Sequence, residues 1–353
     1  MSLSIEVLSQ QFRRFGEREC VPASPLYGRL AVGISGDAEL LALAATAQAR
    51  PVPNLLLAAA HYLLLQSVDH PLAAFYPDLA GEPTTPAAGD PFPPFRGFCL
   101  EHKAAIAALL ATRRVQTNEV RRCACLLPAF AVAARRLGNR PLALIEIGAS
   151  AGLNLLWDRY RYDYGAGGQC GDPAAPVRLA CELRGHLHLP LPAPMPAIAT
   201  RVGLDIHPID VCDDDAALWL RALIWPEQRD RAALLSQAIE VARLHRPPLL
   251  AGDANALLPG VLANVPGDAA LCIYHSFTLN QFPSEARERF ATLIAKHATQ
   301  RNLALIAIEW REPFPSVDLA LFEDGARADM RLAHCDAHGG WMEWLMTSDK
   351  VTR

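Results

Sequence analysis

Hydrophobic residues recur at helical spacing through the first 140 residues. Ile5, Leu8, Phe12 and Phe15 fall on one face of a predicted helix. A second helix is predicted from about Asp37 to Ala49, stopping before Pro51, and Asn54 stands where a cap belongs before LLLAAAHYLLLQ. Residues 77–97 are crowded with proline and glycine and read as a loop. Helix is predicted again over 98–111 and 119–137, the latter kinked or interrupted at Pro128. At Pro141 the pattern changes. LALIEIG is a short apolar run of the kind a buried strand needs. VRLACEL (177–183), ATRVGLDI (199–206), PPLLAGDA (247–254), ALCIYHSF (270–277) and LALIAIEW (303–310) are predicted strands, with helices over 213–244 and 284–299. MRLAHCDA and WMEWLMT flank His338-Gly339-Gly340 and read as an antiparallel hairpin.

The expected architecture is therefore a helical N-terminal region, 1–140, and an α/β domain, 141–353, with a Gly/Pro-rich insert at about 160–199. The alternation predicts a mostly parallel sheet with right-handed crossovers. A length of 353 residues accommodates two domains. With 51% hydrophobic and 20% charged residues, a disordered chain is excluded. Net charge is −4, and neither half is polybasic, so a partner of the duplex nucleic-acid kind is not expected. Nine cysteines form no framework and read as reduced thiols. The N-terminus lacks an apolar signal core. The longest apolar stretch, Leu55–Leu65, would make about 16 Å of helix against a bilayer core of about 30 Å. The expectation is a cytoplasmic protein with a small-molecule substrate, no membrane partner and no assigned oligomeric state.

The chemistry concentrates in LALIEIGASAGLNLL. A strand ends at Glu146. Gly148, Ser150 and Gly152 then form a small-residue turn where backbone can approach a ligand, and a helix N-terminus is expected to follow. Asp205 and Asp253-Ala254 end two further strands. A carboxylate at Asp205 can accept from ribose hydroxyls, and Asp253 with the Ala254 N–H can pair with an adenine edge. The same string contains G-x-S-x-G, so a serine nucleophile at Ser150 is the competing chemistry, with Asp253 or Asp318 and His334 or His338 as partners. A tight turn needing only small residues is the third reading. His275, at a strand end, is a candidate general base. Asn118 and Glu119 are candidate catalytic contacts on segment 112–122, which is expected to lie over the carboxyl ends of the strands. Trp157, Tyr160, Tyr162 and Tyr164 either line a pocket mouth or pack the insert. No metal site is assigned.

Several segments resemble a bacterial family known as domain of unknown function 2332: RRVQTNEVRRCACLLPAF, LIEIGASAGLNLLWDRYRYDYG, VGLDIHPIDV and LIWPEQRDR. That resemblance covers nearly the whole chain. The second half also resembles class I S-adenosylmethionine-dependent methyltransferases. Glu146, Gly148 and Gly152 match their first motif, with Ser150 where a glycine is usual. Asp205 matches the acid after the second strand, though it lies far from Glu146, and Asp253-Ala254 match the adenine position. This resemblance implies a seven-stranded Rossmann-like, methyltransferase-type sheet ending in an antiparallel hairpin, S-adenosylmethionine as cofactor, and methyl transfer to a small molecule. A non-catalytic module binding the same cofactor is the alternative of a different class.

Overall fold

The structure, a computed structural model, describes residues 4–21, 23–66, 69–79 and 87–347. The helices are α1 (Ile5–Arg14), α2 (Pro25–Ser35), α3 (Ala38–Ala44), α4 (Val52–Gln66), α5 (Phe92–Glu101), α6 (Lys103–Thr112), α7 (Arg122–Arg136), α8 (Asp214–Ala222), α9 (Arg229–His245), α10 (Ala254–Ala263) and α11 (Ser284–Ala298). The strands are β1 (Leu142–Ile147), β2 (Arg161–Asp163), β3 (Gln169–Cys170), β4 (Arg178–Ala180), β5 (Glu182–Arg184), β6 (Ile198–Asp205), β7 (Leu249–Ala251), β8 (Ala270–Ser276), β9 (Leu303–Glu309), β10 (Ser316–Glu323), β11 (Ala326–Cys335) and β12 (Trp341–Trp344). The chain divides into two compact units: residues 1–117 with 212–236, and residues 118–211 with 237–353. No helix among the described residues is long and apolar enough to cross a membrane.

The first unit is helical. Its core joins α1–α6 to Trp219, Ala222 and Leu223 of the 212–236 segment. That segment is also tied in by polar contacts. Ser24 caps α2 by accepting from Tyr27 N, and its hydroxyl donates to Glu227 at 2.6 Å. Leu26 N donates to the other Glu227 oxygen at 2.8 Å. His61, fully buried, places Nδ1 3.1 Å from the Ala222 carbonyl and Nε2 3.0 Å from Asp78.

The second unit is built on a nine-stranded sheet of order β5-β12-β11-β10-β9-β8-β1-β6-β7. The run β9-β8-β1-β6-β7 is parallel. β1 is buried along its whole length, which is why its sequence is an unbroken apolar run save for Glu146. Strand order reverses at β1: the chain first moves outward to β6 and β7, then returns to the other side of β1 for β8 and β9. Ligand crevices of open sheets form at the carboxyl ends beside such a reversal. On one face, Phe130 of α7 stacks on Trp157 at 4.6 Å and meets Tyr274 edge-on at 5.0 Å. On the other, Leu258 of α10 and Phe290 and Ile294 of α11 cover Ile145, Ile147, Leu271 and Ile273. Fully burying a side chain the size of Phe290 contributes about 2–3 kcal/mol.

Beyond β9 the sheet becomes an antiparallel meander, with β10 on β9, β11 on β10 and β12 on β11. The hairpin around His338 is present, but a second one precedes it that the sequence reading omitted. Its signal was there: Asp324-Gly325 occupies positive φ at both positions (51° and 81°), as a two-residue hairpin turn requires.

Other expectations are corrected. The 177–183 segment is not one strand of the main sheet. β4 joins a small sheet with β2 and β3, and β5 pairs β12. Helix 213–244 is two helices parted at Pro226, which cannot donate to the ladder. Phe92–Gly97, read as loop, is the start of α5, because Pro93 and Pro94 lie in a first turn whose N–H groups need no partner. α4 begins at Val52, so Asn54 lies inside its first turn and does not cap it. The proline-rich expectation for 80–86 falls outside the described residues.

Candidate functional site

At the carboxyl end of β1 the chain makes a left-handed loop. Gly148, Ser150 and Gly152 have φ of 73°, 54° and 70°. Ser150 pays for this as a non-glycine in the left-handed region, a conformation that persists only when its surroundings impose it. They do so through β6. The Ser150 N–H donates to Asp205 Oδ2 at 2.8 Å, His207 N–H donates to Asp205 Oδ1 at 2.8 Å, and the Ser150 carbonyl accepts from Ile209 N–H at 3.0 Å. Asp205 thus holds the loop in shape. The glycines are needed for packing within the protein. A Cβ on Gly148 would meet Thr278 Oγ1 at 2.4 Å, and one on Gly152 would meet Leu249 at 2.9 Å. Ser150 is buried, and its Oγ has no hydrogen-bond partner among the described residues.

The α-helix expected after the loop is absent. Leu153–Arg159 is 3₁₀, broken by non-helical angles at Leu156. The dipole of a long helix is therefore not directed at the loop. Its leading N–H, that of Leu153, is already taken at 3.1 Å by Asn118 Oδ1. Asn118 is buried and serves here as a side-chain cap. The 112–122 segment does reach the glycine loop through this residue, since Leu153 follows Gly152 directly. Glu119, next along, is also buried.

Glu146 lies beneath the loop, 2% exposed. Tyr274 O–H donates to its Oε2 at 3.2 Å. Cys123 S–H donates to Asn154 Oδ1 at 3.3 Å, which leaves the Asn154 amide N–H to donate toward Glu146. Burial pushes the Glu146 carboxyl up to about 8, against the two donors, and the nearby Asp205 charge adds to the rise. Near neutral pH this acid holds its proton.

Asp253 caps α10, accepting from Asn255 N–H at 2.7 Å and Ala256 N–H at 3.3 Å, and stays exposed while Ala254 is buried. Ile206, directly after Asp205 at the end of β6, is 61% exposed, an apolar side chain left uncovered.

His275 ends β8 on the face packed by α11, with Phe290 edge-on at 6.4 Å. Its Nδ1 lies 2.8 Å from Glu309 Oε1. The same oxygen accepts from Thr278 and Leu279 N–H, each at 2.9 Å. Burial raises the Glu309 carboxyl, but the His275 hydrogen bond and charge and the two backbone donors outweigh it, and the net displacement is downward. The ionised carboxylate fixes the ring so that Nδ1 carries the proton and Nε2 is the basic atom. The turn it organises is strained: Phe277 has φ of 52°, and Arg122 lies over its ring at 4.4 Å. Glu309 was missed in the sequence although it obeys the rule that found the others, an acid at the carboxyl end of a parallel strand.

The carboxylates named as hydrolase partners carry other contacts. Asp253 caps a helix, and Asp318 binds Ser316 Oγ at 2.9 Å and Arg331 at 3.2 Å. The aromatic residues after the loop pack the interior: Trp157, Tyr160, Tyr162 and Tyr164 are buried, and the three hydroxyls donate to the Leu153, Trp157 and Ala124 carbonyls at 2.6–2.7 Å.

Among curated proteins none matches this chain, and among solved structures none does. A family profile matches residues 9–344, nearly the whole chain. The protein belongs to the bacterial family described as "uncharacterized protein conserved in bacteria", domain of unknown function 2332.

Proposed function

We propose that this protein is an S-adenosylmethionine-dependent methyltransferase acting on a small molecule. The observation that carries the reading is the left-handed Gly148–Gly152 loop at the strand-order reversal, clasped to the Asp205 carboxylate of the neighbouring strand. The residues present suit this cofactor. Asp205 and Asp253 offer acceptors for ribose hydroxyls and an adenine amino group, and exposed Ile206, directly after Asp205, offers an apolar face to a flat base. When bound, the cofactor supplies an activated methyl group on a sulfonium centre. The chain's contribution is positioning. The loop and Asp205 orient the nucleoside, and His275 Nε2, oriented by Glu309, accepts the proton an acceptor loses.

Ile206→Asp gives a clean test, because a side chain so exposed contributes little to folding. Wild-type affinity for S-adenosylhomocysteine is expected in the micromolar range, about −8 kcal/mol. Ile206→Asp is expected to weaken it at least about tenfold, with an unchanged melting temperature, since one pocket wall is lost and a third acid is added. Equal affinity for wild type and variant would remove this edge from the site. Binding with no methylated product in cell extracts would favour the non-catalytic module.

A further inference from the structure

The molecule covers its aromatic rings almost completely. Among the described residues, the exposed Phe, Tyr and Trp side chains are Trp310 and Phe314 alone, at 52% and 46%. Both sit on one six-residue hairpin loop, 310–315, closed at its base by the Glu309–Ser316 pair. This loop leaves the carboxyl end of β9, the same edge that carries the glycine loop, Asp205 and His275. It starts at the residue after Glu309, the partner of His275. Phe314 packs on two neighbouring rings. Trp341 meets it edge-on at 5.2 Å and 90°, and His334 at 6.5 Å and 64°.

We infer that the Trp310–Phe314 hairpin is a ring-binding subsite and that the acceptor carries a planar aromatic ring. Its role as the acceptor's site rests on the methyl-transfer reading; its capacity to bind a ring does not. The scale argues for a small molecule. Aromatic side chains bury about 150–250 Å² each, so two half-exposed rings offer roughly 200 Å². That suits one stacked ring and falls far below the roughly 800 Å² per partner of a stable protein interface. Two exposed rings on one short loop at this strand edge are suited to stacking an aromatic ligand, whose faces prefer offset or edge-on neighbours.

The test is saturation-transfer NMR on the full chain with 2-naphthol as probe and cyclohexanol as a non-planar control. Wild type is expected to saturate 2-naphthol and not cyclohexanol, and Trp310→Ala/Phe314→Ala to lose at least about fivefold of that signal while its circular dichroism is unchanged. Equal signals for wild type and the double variant, or equal signals for the two probes, would overturn the proposal. So would light scattering that shows a wild-type dimer becoming monomeric in the variant, because the patch would then be a contact between copies. Titration of the same samples with S-adenosylhomocysteine separates the two claims. Ring binding without cofactor binding leaves the subsite standing and sinks the methyl-transfer reading; cofactor binding without ring binding does the reverse.

Discussion

Replacing Glu146 by Gln is expected to leave stability near wild type at pH 5 and to raise it at pH 8.5 by several kcal/mol. The carboxyl is pushed from 4.5 to about 8 in the folded protein. A raised pKa in the folded state means that stability is fully present below the unfolded value, is lost as pH rises from about 4.5 to about 8, and is level above that. At 1.36 kcal/mol per unit, the loss across this window is at most about 5 kcal/mol, an order-of-magnitude figure. The cause is physical: the two donors to Glu146 are a neutral phenol and a neutral amide, and together with the Arg122 charge they do not outweigh the desolvation of the ionised form. Gln keeps the shape and one acceptor oxygen but never ionises. The difference in melting temperature between variant and wild type should therefore widen steadily from pH 5 to pH 8.5, by about 2–4 °C per kcal/mol. A difference that stays flat with pH would mean that Glu146 is ionised throughout and that a cation or water sustains it.

Gly148→Ala is expected to cost about 3–5 kcal/mol. The left-handed backbone at φ 73° accounts for about 1–2 kcal/mol of this. The rest is steric, since the new methyl would stand 2.4 Å from Thr278 Oγ1 and 2.5 Å from its Cγ2. Thr278 cannot clear the space by side-chain rotation alone, because its Cβ would itself stand 3.0 Å from the new methyl and the backbone that carries it is held to Glu309 at 2.9 Å. Thr278→Ala in the same chain removes the two nearest atoms and should recover most of the steric part while leaving the backbone part, so the two substitutions should be strongly non-additive. Gly260→Ala, where a Cβ meets nothing within 4 Å, is the matching control and should be neutral or stabilising. Denaturant midpoints of wild type, the two single variants and the double variant would decide the matter, with Gly260→Ala as a fifth chain. Additivity would mean that Thr278 is not the residue that excludes a side chain at 148.

Much of this arrangement could be read from residues alone. The apolar LALIEI run is legible because a strand buried on both faces has no polar alternative, and the single acid within it marks the odd position. Asp205 was identified as a candidate by its strand-end position, yet its hydrogen bonds to two backbone N–H groups could not be inferred, since they depend on how the glycine loop folds across to β6. His275 was visible as a strand-end histidine. The carboxylate that orients it lies on the next strand, and that pairing depends on sheet order, not on local pattern. The partition of the chain was the least legible feature. Trp219, Ala222 and Leu223 have the spacing of any amphipathic helix, and nothing in that spacing says that they complete the core of helices more than a hundred residues earlier.

The most direct measurement is calorimetric titration of the intact protein with S-adenosylhomocysteine and S-adenosylmethionine, alongside Asp205→Ala. One site per chain is expected, with micromolar affinity for wild type and a loss of roughly 1–3 kcal/mol in the variant, whose loop has lost its clasp and whose site has lost a charged acceptor. No heat of binding from wild type at millimolar ligand, or wild-type affinity in Asp205→Ala, would contradict this expectation.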